Sequence, residues 1–392
     1  MKQKLKLHSL AIFCASLVMS SALAWPFLPA VRNKQYAVFP PKWREVLKPD
    51  PKILSGIEGE SRFSTNRLGL RGDELGDPKI RILVLGGSAT ECGYLDDSET
   101  WPYLIQKQLS NSLAETVWVG NAGRSGHHSL HHLAQMEILL DQIKPIHLVI
   151  VMMGFNDMAA WLRRKEDTFE TWQDAAVREK YTRSAFSRAP VKGFKNQLRQ
   201  SLHSLRNFFN GKDHWHSEEI RTGSQYRGLR ERRMKSDQIL IPEEKLATLP
   251  FALKRYQQNI EQIIQIAKNH QTPLLFLTQP GLYHESMSPE ETALLWFGAI
   301  QGTEDIRAPA ANYARVEEMR SVLSDYNQIL LKTAGMHSIE TLDLDRLLPA
   351  STEIFYDDVH FHEAGAARVA QLVVQSLCDS RILSMPCRRE VA

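Results

Sequence analysis

The sequence predicts an α/β protein, a three-layer sandwich with a parallel sheet at its centre and helices on both faces. Short apolar runs alternate along the chain with segments of helical period, and none of these runs alternates polar with apolar residues. A strand with one wet face alternates, whereas a strand buried on both faces is an unbroken apolar run, as in parallel sheets. Strands separated by helices imply right-handed βαβ units. The pattern breaks once, between Trp161 and Pro250, which predicts an insertion.

The chain has 392 residues, more than one domain usually needs. Lys2, Lys4 and Lys6 precede an apolar run from Leu10 to Val18, and small residues follow, ending in Ala22-Leu23-Ala24. This is the form of a secretory signal peptide over residues 1–24. The run is shorter than the ~20 residues of a comfortable membrane span, so an uncleaved N-terminal anchor is the second reading. Phe13 stands where a lipoprotein cysteine at Cys14 would need a small residue. Residues 25–78 hold many prolines and turn formers with no sustained period, and are expected to be an irregular leader on the surface of a domain over 79–392.

The first strand is Ile80 to Leu85, closed by Gly86-Gly87. Further strands are expected at Thr116 to Val119, His147 to Met153, Pro273 to Thr278 and Ser338 to Leu342. Helical spacing marks Leu130, Leu133, Met136 and Leu140, then Ile260, Ile263, Ile264 and Ala267. It recurs at Val316, Met319, Leu323, Tyr326 and Leu330, and His362 to Leu377 closes the series. The insertion, about 161–250, is basic, with Arg183, Arg188, Lys192, Arg230 and Arg233 among its cations and Phe186, Phe194, Phe208 and Trp215 between them. A structureless loop of that length is out of place in a compact domain, so a helical cap or a lid is expected. The plain alternative is a solvated amphipathic helix pair. A functional cap would meet anionic envelope polymers or a membrane surface of anionic lipid.

With 48 Lys and Arg against 45 Asp and Glu, the formal net charge is +3, and no nucleic acid partner is expected. Four cysteines are present. Cys14 goes with the leader, Cys378 and Cys387 are near enough to close a disulfide loop after export, and Cys92 is left over. With no C-x-x-C pair, no cysteine zinc site is expected.

Four strand ends carry residues with chemistry. Ser88 follows Gly86-Gly87, where two glycines permit a tight turn and ligands bind beyond strand ends. In Tyr356-Asp357-Asp358-Val359-His360, an Asp three residues before a His can fold back and orient the ring. Asn156, in Gly154-Phe155-Asn156-Asp157, can aim an amide at the sheet's mouth, although Asn-Asp also caps helices. Gly123, in Gly120-Asn121-Ala122-Gly123, offers a backbone N–H unobstructed by a side chain, or is simply a turn.

Together these segments resemble the four conserved blocks of the SGNH/GDSL hydrolases, in their exported bacterial esterase-like branch, over roughly Ile80 to Leu377. The resemblance implies a flavodoxin-like fold with no metal and no organic cofactor. It makes Ser88 the nucleophile, His360 the base and Asp357 its partner, with oxyanion donors from the Ser88 and Gly123 N–H groups and the Asn156 amide. One departure is Gly87, where the family's eponymous block has Asp before the serine. Asn66-Arg67-Leu68-Gly69-Leu70-Arg71-Gly72 also resembles a segment that precedes the first strand in such members. The rival α/β-hydrolase elbow, G-x-S-x-G, would need glycine where Thr90 stands.

His127 and His131 share a helix face, as in some zinc sites, but no carboxylate or cysteine lies at a matching spacing. These histidines, with His128 and His132, are expected at a helix start near the cleft. The function expected is ester hydrolysis through an acyl-enzyme on an envelope O-acyl glycan or lipid ester. The alternatives are O-acyl transfer to an envelope glycan by the same site, and a non-catalytic glycan-binding module. Filled catalytic positions argue against the last.

Overall fold

The computed structural model describes residues 37–164, 170–186, 218–301, 312–380, 382–383 and 387, without the side chains of 183–186. All belong to one compact unit, Tyr36–Ala392. The expected signal peptide, Cys14 and the cations and aromatics of the insertion between 187 and 217 lie outside the described residues.

β1 (Arg44–Leu47) and β2 (Ser61–Ser64) pair antiparallel. β3 (Ile80–Gly86), β4 (Val117–Asn121) and β5 (Leu148–Met152) belong to the central sheet. β6 (Asp237–Ile239) lies outside it, while β7 (Leu274–Leu277) belongs to it. β8 (Ala299–Ile300) and β9 (Asn312–Ala314) join β6 in a small third sheet, and β10 (Glu340–Leu342) completes the central one. The central sheet is parallel throughout, in the order β10-β7-β5-β3-β4. From the β4 edge, its strands numbered along the chain run 2-1-3-4-5, the flavodoxin-like order. The expected α/β sandwich and its five strands are therefore present. Ile82, Leu83, Val84 and Leu85 of β3 and Val149, Ile150 and Val151 of β5 are wholly buried. Each such side chain contributes about 1.5–3 kcal/mol.

The first helices are α1 (Ser88–Glu91), α2 (Trp101–Leu113), α3 (Ser129–Gln142) and α4 (Phe155–Arg163). They are followed by α5 (Ala175–Phe186), α6 (Gln225–Lys235), α7 (Leu249–Asn269), α8 (Val316–Met336) and α9 (Glu363–Asp379). α9 packs on α2, while α7 packs between α3 and α8. Among the described residues, no helix is long and apolar enough to cross a membrane.

Two expectations need correction. The leader is not merely an irregular surface segment, because β1 and β2 form within it and Leu54, Ile57 and Leu70 are wholly buried. Its strands are four residues each, too short to show a period. The described end of the insertion is likewise not a solvated helix pair. Arg230 and Arg233 of α6 are buried, and their guanidinium groups donate to backbone carbonyls. Cys378 and Cys387 form a disulfide, and Cys92 is free and buried.

Candidate active site

Ser88 begins α1 directly after β3, with β4 on one side and β5 on the other. This is the switch point, where the chain's path across the sheet reverses and a crevice opens. The turn is tight. A Cβ on Gly86 would come within 2.0 Å of Thr90 Oγ1, and one on Gly87 within 2.3 Å of Asn156 Nδ2. Glycine before the serine, the departure noted in the sequence, thus leaves room for the Asn156 amide.

His360 arrives on the segment between β10 and α9. Asp357 Oδ1 accepts the N–H groups of Val359 (3.0 Å) and His360 (2.9 Å), which closes the turn predicted from the three-residue spacing. His360 Nδ1 lies 2.7 and 2.8 Å from the two Asp357 oxygens, and His360 Nε2 lies 2.6 Å from Ser88 Oγ. With Nδ1 donating to the carboxylate, Nε2 accepts the Ser88 hydroxyl proton. The imidazole is buried among aromatic rings, lying nearly parallel to Tyr356 and Trp296 and edge-on to Tyr226. Burial works to lower the His360 pKa, but the neighbouring Asp357 charge outweighs it and the net shift is upward. Burial works to raise Asp357, yet His360 and a hydrogen bond from Trp296 Nε1 (2.9 Å) hold its carboxyl below the ordinary value.

Asp358 does not meet His360. It accepts the Tyr283 hydroxyl and the Trp296 N–H, each at 2.8 Å. Burial first, then the Asp357 charge, pushes its carboxyl up to about 6. Trp296 therefore joins the two aspartates through its side chain and its backbone. Neither Trp296 nor Tyr283 was singled out in the sequence. Both lie in an irregular segment with no spacing signal.

Asn156 sits in the first turn of α4, after Gly154 at φ +125°, a conformation that favours glycine. Its Nδ2 donates to His127 O (2.7 Å), and an amide nitrogen has a second hydrogen to give. Asp157, behind it, accepts the Ser129 N–H at the start of α3 (3.1 Å). Gly123 packs on the backbone of α1, where a Cβ would lie 2.4 Å from Glu91 N. Its N–H, expected to be an oxyanion donor, donates to Asn121 Oδ1 (2.8 Å), because the strand-end asparagine folds over it. As the first residue of a helix, Ser88 has an N–H with no intrahelical acceptor.

The histidines stack. The His127 and His131 rings are nearly parallel with centroids 4.3 Å apart, and His128 meets His131 edge-on. Among the described residues, no group of three or more His, Cys, Asp or Glu is placed to hold a metal ion. Cys92, one turn beyond Ser88, has its thiol pushed up to about 12 by burial, which keeps it a packing residue.

Fold and site together are those of a serine ester hydrolase. The chain belongs to the GDSL-like lipase/acylhydrolase family, whose model matches residues 84–368. No curated protein sequence matches it. Among solved structures, the acetylxylan esterase Axe2 from Geobacillus stearothermophilus is similar at 13% identity and a TM-score of 0.40, covering 80% of this chain and 97% of that one. A member of the lipolytic protein G-D-S-L family from Veillonella parvula is similar at 11% identity and a TM-score of 0.38, covering 76% and 98%. LAE5, an alpha/beta hydrolase enzyme from the metagenome of Lake Arreo, Spain, is similar at 13% identity and a TM-score of 0.39, covering 77% and 97%.

Proposed function

We propose that the chain is an exported esterase acting on an O-acyl glycan or lipid ester of the cell envelope. Ser88 Oγ attacks the ester carbonyl as His360 Nε2 takes its proton, and Asp357 holds the resulting imidazolium. The Ser88 N–H and the free hydrogen of Asn156 Nδ2 receive the oxyanion. The Gly123 N–H joins them by sharing its hydrogen with Asn121. His360 then returns its proton to the leaving alcohol. Water resolves the acyl-enzyme by the same steps in reverse. The observation that carries this reading is the 2.6 Å contact from Ser88 Oγ to His360 Nε2, continued at 2.7 Å to Asp357. Export is supported by the Lys-rich start before Ala22-Leu23-Ala24 and by the Cys378–Cys387 disulfide, since disulfides persist in oxidising compartments.

Ser88→Ala should lower kcat on a p-nitrophenyl ester by roughly 10⁴-fold or more, since a triad acts as a unit. Near-normal turnover in that variant refutes the mechanism. A screen of acetylated glycans against lipid esters identifies the substrate. Following the acyl group into water or onto a glycan hydroxyl separates hydrolysis from transfer.

A further inference from the structure

α1 carries Ser88 yet has only four residues, too few for a helix to sustain itself. It ends at Cys92, a non-glycine residue in the left-handed region at φ 53°. Both features require an external hold. Arg71 supplies one. It is 1% exposed and comes from the Asn66–Gly72 segment, outside the residues that match the family model.

A guanidinium has five N–H donors in a fixed fork, and at Arg71 all five have acceptors. The Nη1 hydrogens go to Glu91 O and Cys92 O, both at 2.6 Å. The Nη2 hydrogens go to Leu95 O (2.5 Å) and Arg62 O (3.4 Å), and Nε donates to Asp97 Oδ1 (3.0 Å). The first three acceptors are carbonyls at and just beyond the C-terminal end of α1, where a short helix leaves Glu91 O without an intrahelical donor and Cys92 O also accepts the Leu95 N–H (3.0 Å). A positive charge also complements that end of the helix dipole. The guanidinium lies over the Phe63 ring, with Cζ 4.3 Å from the ring centroid.

The backbone of Arg71 grips a second strand end. Arg71 N–H donates to Asn121 O (3.0 Å), and Asn121 N–H donates back to Arg71 O (3.3 Å). The Asn121 side chain donates to Thr90 O in α1 and accepts the Gly123 N–H, both at 2.8 Å. Arg71 thus fixes the nucleophile turn directly, and through Asn121 it fixes the loop that packs on that turn.

We propose that Arg71 is a positioning residue that sets the Ser88 hydroxyl against His360 and holds the oxyanion loop in register. This rests on Ser88 being the nucleophile. A misplacement of about 1 Å at a reacting group can cost on the order of 10²-fold. In the full chain, Arg71→Met should therefore lower kcat per active site about 100-fold, with KM changed by less than about threefold. Sites are counted by fluorophosphonate labelling carried to completion and read by intact mass, and the labelling rate should fall in parallel with kcat. Arg71→Lys restores the charge but not the fork, and should recover only part of the loss. A purely structural role would lower the melting temperature and the number of labelled sites while each remaining site turned over normally. Per-site kcat within about threefold of the unsubstituted protein in both variants overturns the proposal. If Arg71→Met yields no folded protein, Asp97→Asn decides. It removes the Nε acceptor's charge and should cost about tenfold per site, and no change overturns the proposal. Ser88→Ala is run alongside. Turnover persisting there would overturn the esterase reading instead.

Discussion

Asp357 and Asp358 are adjacent and both buried, yet they face opposite partners. Asp357 holds the Nδ1 side of His360, whereas Asp358 ties down the Trp296 backbone and the Tyr283 hydroxyl. Asp357→Asn should therefore lower kcat by up to ~10⁴-fold, by loss of the tautomer and charge that the base requires. Asp358→Asn should stay within roughly tenfold, because that group lies off the proton path. Measuring kcat for both variants on one ester tests this, and the reverse ranking would reassign the acid. Gly87 makes the second case at this scale. A Cβ there would press on Asn156 Nδ2, so Gly87→Ala should displace the amide and lower kcat by about 10²-fold, close to the effect of Asn156→Ala. Normal kcat in Gly87→Ala would remove Asn156 from the oxyanion site.

Among the elements, α6 ties the insertion to the site. Arg230 donates to Tyr356 O (2.8 Å), Ile53 O (2.7 Å) and Leu294 O (3.1 Å), spanning the histidine turn, the leader and the loop before Trp296. Arg233 donates to Phe297 O (3.0 Å) and Ala314 O (3.2 Å). Arg233→Met would leave two buried carbonyls unpaired, each costing about 1–3 kcal/mol, so urea denaturation should show a loss of about 2–6 kcal/mol. A loss under about 0.5 kcal/mol, as at an ordinary surface position, would show that α6 is not anchored this way. Tyr226, Leu229, Arg230 and Arg233 lie at helical spacing on one buried face, so the stripe is present in the sequence. It is hidden because two of its four members are arginines, which composition assigns to solvent. β3, β5 and β7 were legible for the opposite reason, since a strand buried on both faces reads as a nearly unbroken apolar run. β6, β8 and β9 have two or three residues each, too few to carry a period. The Asp357–His360 turn was legible because its geometry is local. Trp296 was not, because only tertiary packing brings it to Asp357.

Across the whole molecule, buried titrating groups oppose one another. Asp157 and Asp358 are each pushed up to about 6, chiefly by burial. Between their unfolded value of 3.8 and about 6, the folded chain keeps protons that the unfolded chain has lost, so this pair loses stability as pH rises. Burial also pushes His132 down to about 4 and His128 well below 6.5. Over the same range the unfolded chain holds protons that these rings lack, so they lose stability as pH falls. Smaller upward shifts at Asp325, Asp345 and Glu99 and a downward one at His147 add to the two sides, each led by burial. The two sets oppose each other between about pH 4 and 6, so Asp358→Asn, which removes a group that loses stability as pH rises, should make the slope of stability against pH more positive there than in the unsubstituted protein. Urea midpoints across that range for both proteins test this, and the same slope in the two would show that Asp358 does not hold its proton in the folded chain. The sheet order has a further consequence, in time rather than space. β10 is three strands away from β3, and the two residues that meet at the centre, Ser88 and His360, are 272 positions apart. Contacts of such long range form late and slowly. As the chain is synthesised, Ser88 emerges 272 residues before His360, so on the proposed mechanism it stays inert until the histidine turn has arrived and docked. A nascent chain that stops short of His360 lacks the base that the proposed mechanism requires, and is silent toward esters.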